Sequence, residues 1–177
     1  MRTEIVCPQT EPETEWVRGR ALRKMSPTYR HGLAQLRVAA ALAAAWVDAC
    51  KAGRVATEWR FRITPPGEPT RPLVPDVAYV SYATLPASAG PDEFDVPTVP
   101  PTVAVEILSP DDRADDVRDK IATYLAAGTS VVFIVDPSAR NGTLYDGEGV
   151  RSLVAGDRIV HAALPGFALA LETLFEP

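Results

Sequence analysis

The sequence predicts an α/β domain of the α+β kind, in which a mixed sheet has central strands flanked by helices. A near-continuous apolar run at residues 103–108 precedes a helical pattern that ends at Gly128, and a second apolar run follows at residues 131–135. This order of strand, helix and strand implies a right-handed crossover between two parallel, buried strands. Alternating residues at 55–63 predict, in addition, an antiparallel strand with one polar face. Together these observations predict a mixed sheet.

The start of the chain predicts an arm followed by one domain. Residues 1–15 are polar and contain two prolines, so we expect a loose N-terminal arm. Residues 16–177 fit a single domain, because domains commonly have about 100–200 residues. Residues 16–25 predict one or two short strands around Gly19, and Ser26-Pro27 predicts a helix start. The apolar stripe expected of that helix is Leu33, Leu36, Ala40, Ala43 and Val47.

Two acids interrupt apolar strands, and they are the first candidates for a functional site. Asp76 lies within residues 73–80, and Glu106 lies within the run at 103–108. Burying a carboxylate is costly unless it is paired, protonated or bound to a metal. Two acids on neighbouring strands can hold Mg2+ through oxygen ligands. The alternative is that each acid is hydrogen-bonded and partly hydrated at a sheet end.

The helix after Glu106 carries a third candidate. Ser109 and Pro110 predict its N-cap and first turn, and Gly128 predicts its end. Lys120 lies beside the expected apolar stripe, where its ammonium could reach over the sheet edge. The alternative is that the lysine extends along the surface to water.

The basic residues are concentrated in one stretch. Between Val17 and Val47 there is no Asp or Glu, but there are six cations, so the rest of the chain carries −11 against a total of −5. The six are Arg18, Arg20, Arg23, Lys24, Arg30 and Arg37. Such a stretch can bind phosphates, and Arg20, Lys24, Arg30 and Arg37 are the candidates for nucleic-acid contact. Alternatively, it is a solvated face paired with acids elsewhere.

Two further residues have both a functional and a structural interpretation. Glu58 in the alternating strand could be a third acid of the site, or a surface partner of Arg60 or Arg62. His31, in the first turns of the predicted helix, is either an accessory site residue or a surface or capping histidine.

Several short segments, taken in order, resemble one protein family. They are Glu-Ile-Leu-Ser-Pro at 106–110, Asp-Lys-Ile-Ala-Thr-Tyr at 119–124, Ala-Gly at 127–128 and Ile-Val-Asp-Pro at 134–137. With Pro-Asp at 75–76, they resemble the bacterial family of putative restriction endonucleases in the PD-(D/E)XK nuclease superfamily. The resemblance covers about residues 17–175 and implies a restriction-endonuclease-like fold.

The resemblance also implies a chemistry and a set of roles. It implies Mg2+ or Mn2+ held by Asp76, Glu106 and the backbone carbonyl of Ile107, with DNA as substrate. The superfamily lysine belongs at position 108, where this chain has Leu108, so Lys120 is the expected replacement. Arg20 stands where the family often has an early glutamate, so an upstream acid is expected to be missing.

Two function classes therefore remain from the sequence. One is a Mg2+-dependent DNA endonuclease, with a homodimer as one way to cut both strands. The other is a catalytically inactive nuclease-fold protein that binds nucleic acid or another protein. The two cysteines suggest a reduced, cytoplasmic protein, and no membrane association is expected, because no apolar run is long enough to span a bilayer. No Gly-rich phosphate loop or zinc-type His/Cys cluster is present in the sequence.

Overall fold

A six-stranded mixed sheet forms the centre of the fold. The computed structural model describes residues 3–6, 13–24, 27–45 and 51–176. The sheet order is β10-β9-β8-β7-β6-β3. Its strands are β3 (Gly53–Thr57), β6 (Val77–Ser81), β7 (Val103–Ile107), β8 (Val131–Asp136), β9 (Asn141–Asp146) and β10 (Val150–Leu153). Only β7 and β8 pair in parallel among these strands, as the crossover pattern predicts.

Within the described ranges, three α-helices and several short elements surround the sheet. The helices are α1 (Tyr29–Leu42), α2 (Pro91–Asp95) and α3 (Ala114–Ala127), and a 3-10 turn follows at Leu171–Leu174. The described part of the chain also forms three two-stranded sheets: β1 (Thr14–Val17) with β2 (Arg20–Arg23), β4 (Phe61–Ile63) with β5 (Arg71–Leu73), and β11 (Arg158–Ile159) with β12 (Leu169–Ala170). Among the described helices, none is both long and apolar enough to cross a bilayer.

The alternation of β7 divides the core between two faces. Val103, Val105 and Ile107 belong to a core cluster with residues of α1, such as Val38. Ala104 belongs to the opposite cluster, which includes Tyr124 of α3. Because successive side chains of a strand point to opposite faces, Glu106 shares the α3 face with Ala104. β7, which is buried on both faces, therefore directs its one acid, Glu106, toward α3.

Both principal helices start later than the sequence predicts. Thr28, not Ser26, is the N-cap of α1, and its hydroxyl accepts from the backbone N–H of His31; Ser26 lies outside the described residues. Asp112 accepts from the backbone N–H of Ser109, so residues 109–112 form a turn, and α3 begins at Ala114. A polar side chain that hydrogen-bonds a neighbouring backbone group, as Asp112 does, competes with helix formation. The predicted end of α3 at Gly128 is confirmed, with φ of 107°.

The buried face of α1 also differs from the predicted stripe. The buried residues are His31, Ala34, Val38 and Leu42, whereas Leu36 is 65% exposed. An alanine-rich helix has little contrast between its faces, so periodicity alone selected the wrong one. Val47 lies outside the described residues.

The alternating segment at 55–63 is two strands instead of one. β3 ends at Thr57, and β4 begins at Phe61 in a different sheet. Between them Glu58 has φ of 50°, in the left-handed region, which interrupts the extended backbone. The N-terminal boundary moves as well, because β1 begins at Thr14 and the described residues 3–6 bridge to Thr70. The predicted arm of residues 1–15 therefore contains at least the start of a strand.

Candidate active site

Asp76 and Glu106 meet at one edge of the central sheet. Val77 pairs with Val105 in the antiparallel β6–β7 ladder. Continuing this register by one residue sets Asp76, just before β6, opposite Glu106, near the end of β7. Both are buried, with 3% and 6% of their surface exposed. The geometry therefore brings together the two acids that the sequence singled out.

Every described contact of Asp76 supports its ionised form. Its Oδ2 accepts a 2.6 Å hydrogen bond from the backbone N–H of Ile107. Its Oδ1 lies 2.6 Å from Nζ of Lys24, and Nε2 of His31 is 3.4 Å from Oδ2. Burial would raise the pKa of Asp76, but Lys24 and His31 hold that pKa well below its usual range. Asp76 is therefore a carboxylate fixed beside the backbone of Ile107.

Glu106 has a different electrostatic environment. Lys120 donates to its Oε2 at 2.8 Å, and the hydroxyl of Tyr124 donates to its Oε1 at 3.0 Å. Burial raises the pKa of Glu106 to about 7, and the charges of Glu15 and Asp76 add to this against the opposing effect of Lys120. Asp76 is thus held in its ionised form, whereas burial opposes ionisation of Glu106.

Glu15 is the site residue that sequence analysis missed. Its side chain is 2% exposed, Nζ of Lys120 lies 2.7 Å from its Oε2, and the backbone N–H of Val74 donates to its Oε1 at 2.7 Å. The expectation that an upstream acid is absent was therefore wrong, because β1 supplies one in the segment assigned to the arm. The available signal was the pattern of Thr14 and Trp16 flanking Glu15, which continues the strand toward Gly19.

Lys120 reaches the sheet edge from α3, as the sequence predicts. It is 8% exposed and is shared by the carboxylates of Glu106 and Glu15. These two carboxylates raise the pKa of Lys120 above its ordinary value despite burial, so the lysine remains charged. The alternative that it extends to water is wrong.

Lys24 lies inside the site, which corrects its assignment to a nucleic-acid surface. Its Nζ contacts Asp76, Glu58 at 2.8 Å and the carbonyl of Val74 at 2.9 Å. Burial opposes its charge, but Asp76 and Glu15 raise the pKa of Lys24 above its usual value. Its ammonium is thus engaged by acids and is not presented on the surface.

Glu58 and His31 both reach this site. Glu58 contacts Lys24 and accepts a 2.7 Å hydrogen bond from Gln35, whose amide also donates to the backbone carbonyl of Asp76. The predicted partners of Glu58, Arg60 and Arg62, pair instead with Glu13 and Glu4. His31 is 7% exposed, and burial opposes its charge, while Asp76 raises the pKa of its ring above the ordinary value.

The remaining predicted nucleic-acid residues lie in different places. Arg20 pairs with Asp116 of α3 at 2.5 Å, at the margin of the site. Arg30 is exposed on the first turn of α1. Arg37 donates to the carbonyl of Thr173 and so ties α1 to the C-terminal turn. The interpretation of the basic stretch as a face paired with acids elsewhere therefore holds for Arg20, whereas the partner of Arg37 is a backbone carbonyl. Arg23, which was not among the predicted nucleic-acid residues, is an exposed cation.

A cleft of about 480 Å³ opens over these residues. It is lined by the acids and lysines described above and, toward its rim, by Arg20, Arg23, Asp111, Asp112 and Arg113. The cleft therefore has charged groups at its base and side chains of both charges toward its rim.

The donor set fits a divalent cation of the magnesium type. Asp76 and Glu106 line the cleft with carboxylate oxygens, and Glu15 and Glu58 lie beside the two lysines that contact these acids. Within the described ranges, no three His, Cys, Asp or Glu residues form a ready cage for a metal ion. Mg2+ commonly binds through one or two carboxylates, waters and substrate phosphate instead of an all-protein cage. Asp76, Glu106 and the carbonyl of Ile107 are the residues that would hold it.

A second cavity, of about 790 Å³, is larger, but its titratable pair, Asp146 and His161, has a structural role. It is lined by Asp146 and His161, whose Oδ2 and Nε2 atoms are 3.1 Å apart. The backbone N–H of Ala163 donates to Nδ1 of His161, and those of Glu148 and Gly149 donate to Oδ1 of Asp146. These bonds hold turns in place, so the smaller cleft is the candidate site.

The sheet topology and the acidic cleft at its edge define a nuclease-like protein of the restriction-endonuclease-like class. The model of the Uma2 family, described as "Putative restriction endonuclease", matches residues 3–172. The chain therefore belongs to this family.

One solved structure shows the same fold. It is described as a putative nuclease belonging to DUF820, from Anabaena variabilis ATCC 29413. The similarity has a TM-score of 0.82 at 22% identity and covers 96% of this chain and 93% of that chain. No curated protein matches the chain significantly. The predicted fold is thus confirmed.

Proposed function

We propose that this protein is an endonuclease that hydrolyses phosphodiester bonds of DNA with Mg2+ or Mn2+ as cofactor. The observation that carries the proposal is the position of Asp76 opposite Glu106 at the base of an open cleft, with an ammonium group on each acid. Membership of a family described as restriction endonucleases supports the same reaction class.

The residues of the cleft have separable roles in this proposal. A bound divalent cation would lower the pKa of a water molecule and offset charge on the phosphate. The N–H of Ile107 orients Asp76, and the hydroxyl of Tyr124 orients Glu106. Lys120 maintains positive charge beside Glu106, where charge develops on the phosphate during attack by water.

The rim of the cleft provides the expected contacts to the DNA backbone. Arg23 and Arg113 are exposed there, and Arg20 lies beside them in contact with Asp116. Phosphate contacts of this kind position a nucleic acid without reading its sequence. Cutting both strands needs two sites, which a two-fold homodimer would supply.

Two observations favour a second candidate function, a nuclease-fold protein that binds nucleic acid without cutting it. Lys24 contacts Asp76 directly, and Leu108 stands where the superfamily has its lysine. A protein that no longer needed the metal could retain both features.

Supercoiled-plasmid cleavage separates the two candidates. The wild-type protein is compared with Asp76→Ala and Glu106→Ala in Mg2+, Mn2+ and EDTA, with Asp92→Asn as the control for an exposed acid outside the cleft. We expect metal-dependent nicking that falls at least about 100-fold in the two site variants and is unchanged in the control. Binding of DNA without nicking in any metal would support the second candidate, and nicking unchanged in both site variants would exclude the proposed site.

A further inference from the structure

The surroundings of Lys24 resemble a cation site more than an ordinary surface ion pair. Its Nζ lies within 2.9 Å of Asp76 Oδ1, Glu58 Oε2 and the carbonyl oxygen of Val74. The side chain is 13% exposed. Carboxylate and carbonyl oxygens are the ligands that hard divalent cations prefer. One ammonium group therefore occupies an oxygen-lined position on the carboxylate that would hold the metal.

The second lysine of the site is held in a different way. Lys120 is shared by Glu15 and Glu106, whose side chains are 2% and 8% exposed. Lys24 is shared by Asp76 and Glu58, and the Glu58 side chain is 43% exposed. Water can reach one partner of Lys24 but neither carboxylate partner of Lys120. Lys24 is accordingly the ammonium group that can leave at lower cost.

We propose that Lys24 is the resident cation on Asp76 when no metal is bound, and that a divalent ion held by Asp76 and Glu106 must displace it from the Asp76 carboxylate. The inference rests on the proposed function, because it assumes that the cleft takes a divalent ion. Lys24 compensates the charge of Asp76 when no metal is bound, and it opposes the metal through like-charge repulsion and competition for the same oxygen. In the wild-type protein Lys24 thus stabilises the metal-free form and weakens the binding of a divalent ion.

Removing the ammonium tests this competition without relying on catalysis. We would measure Mn2+ binding by calorimetry, and melting temperature with EDTA or Mn2+, for the wild type and Lys24→Met. We expect Mn2+ to bind Lys24→Met at least about tenfold more tightly, because Asp76 loses a competing charge 2.6 Å away. Lys24→Met should also melt below the wild type in EDTA and gain more from saturating Mn2+.

Two companion variants isolate the cause. Lys24→Arg keeps the charge and should keep the weak affinity of the wild type. Arg118→Met removes a cation from the exposed face of α3, where the Arg118 side chain is 71% exposed, and should leave Mn2+ affinity unchanged. If Lys24→Met does not fold in EDTA, Lys24→Gln retains a donor for the carbonyl of Val74 and is expected to show the same increase in affinity.

The outcomes separate the inference from the proposed function. Equal or weaker Mn2+ binding by folded Lys24→Met or Lys24→Gln than by the wild type, with metal-dependent nicking by the wild type, would overturn the inference and leave the nuclease intact. Absence of both Mn2+ binding and nicking in every variant would overturn both. Tighter binding by Lys24→Met that Arg118→Met reproduces would also reject it, since net charge and not position would be the cause.

Discussion

The site contains the same arrangement twice, one ammonium shared by two carboxylates, but in two different environments. In the inner group, Lys120 joins Glu15 and Glu106, and all three side chains are at most 10% exposed. In the outer group, Lys24 joins Asp76 and Glu58, whose side chain is 43% exposed. The two groups have the same residue types and differ in burial, so we infer that burial determines which ammonium group can be displaced.

The inner group also connects distant parts of the chain. Glu15 comes from β1, Glu106 from β7 and Lys120 from α3, and Glu15 further accepts from the backbone N–H of Val74. Loss of one member leaves the others charged and buried, which is more costly than the loss of an exposed pair. The inner group should therefore contribute to folding and to chemistry at once.

The largest expected effect follows from removing the cation of the inner group. We expect Lys120→Met to lower the free energy of unfolding by about 3–5 kcal/mol at pH 8, because two buried carboxylates lose their shared partner. The loss should be smaller at pH 5, where Glu106 takes up a proton. Urea unfolding at both pH values measures this.

The matched control for that prediction is Arg118→Met on the exposed face of the same helix. Arg118 pairs only with Asp115 at i,i+3 among its described salt bridges, so its loss should cost about 0.5 kcal/mol or less. Equal losses in the two variants would show that the inner group is no more than an ordinary surface pair.

The raised pKa of Glu106 gives the next effect, a change of stability with pH. A folded pKa of about 7 against an ordinary value of 4.5 means that the folded protein retains a proton that the unfolded chain has released. The contribution of this group to stability therefore falls as the pH rises from 4.5 to about 7.

Glu106→Gln removes this titration and should gain stability relative to the wild type as the pH rises. Since each pKa unit corresponds to about 1.4 kcal/mol, the relative gain between pH 4.5 and pH 8 should approach roughly 3 kcal/mol. Urea unfolding of both proteins at the two pH values gives the difference directly. A difference that is independent of pH would mean that Glu106 titrates normally in the folded protein.

The acids on the central strands were predictable because they violate a strong pattern. Asp76 and Glu106 interrupt apolar runs, and Lys120 lies near the buried stripe of α3. The order of strand, α3 and strand also predicts the parallel pair of β7 and β8. These predictions rely on hydrophobic periodicity and local order, which a single sequence displays.

The two site residues from the N-terminal hairpin region, Glu15 and Lys24, were not predictable in the same way. Glu15 and Lys24 lie in short, polar segments, and their pairing depends on how the β1–β2 hairpin packs beside β5 and α3. Lys24 therefore looked like a surface cation, and Glu15 looked like part of an arm. Partners 50 or more residues apart, such as Lys24 with Asp76, leave no local signal.

The smallest effect compares one acid from each group by the same substitution. Glu15→Gln should cost about 1–3 kcal/mol, since it removes a buried charge-assisted hydrogen bond to Lys120. Glu58→Gln should cost about 1 kcal/mol at most, because Glu58 is partly hydrated and Asp76 continues to hold Lys24. Unfolding in urea at pH 8 compares the two variants with the wild type.

A second measurement makes that comparison sharper. Glu15 raises the pKa of Glu106, so Glu15→Gln should shift the carboxyl titration of Glu106, followed by carbon-13 NMR, to lower pH. The described side-chain contacts of Glu58 are with Lys24 and Gln35 and not with Glu106, so Glu58→Gln should leave the titration in place. If Glu15→Gln and Glu58→Gln lose equal stability and shift the Glu106 titration equally, the inner and outer groups form one electrostatic unit. The distinction between a fixed Lys120 and a displaceable Lys24 would then fail.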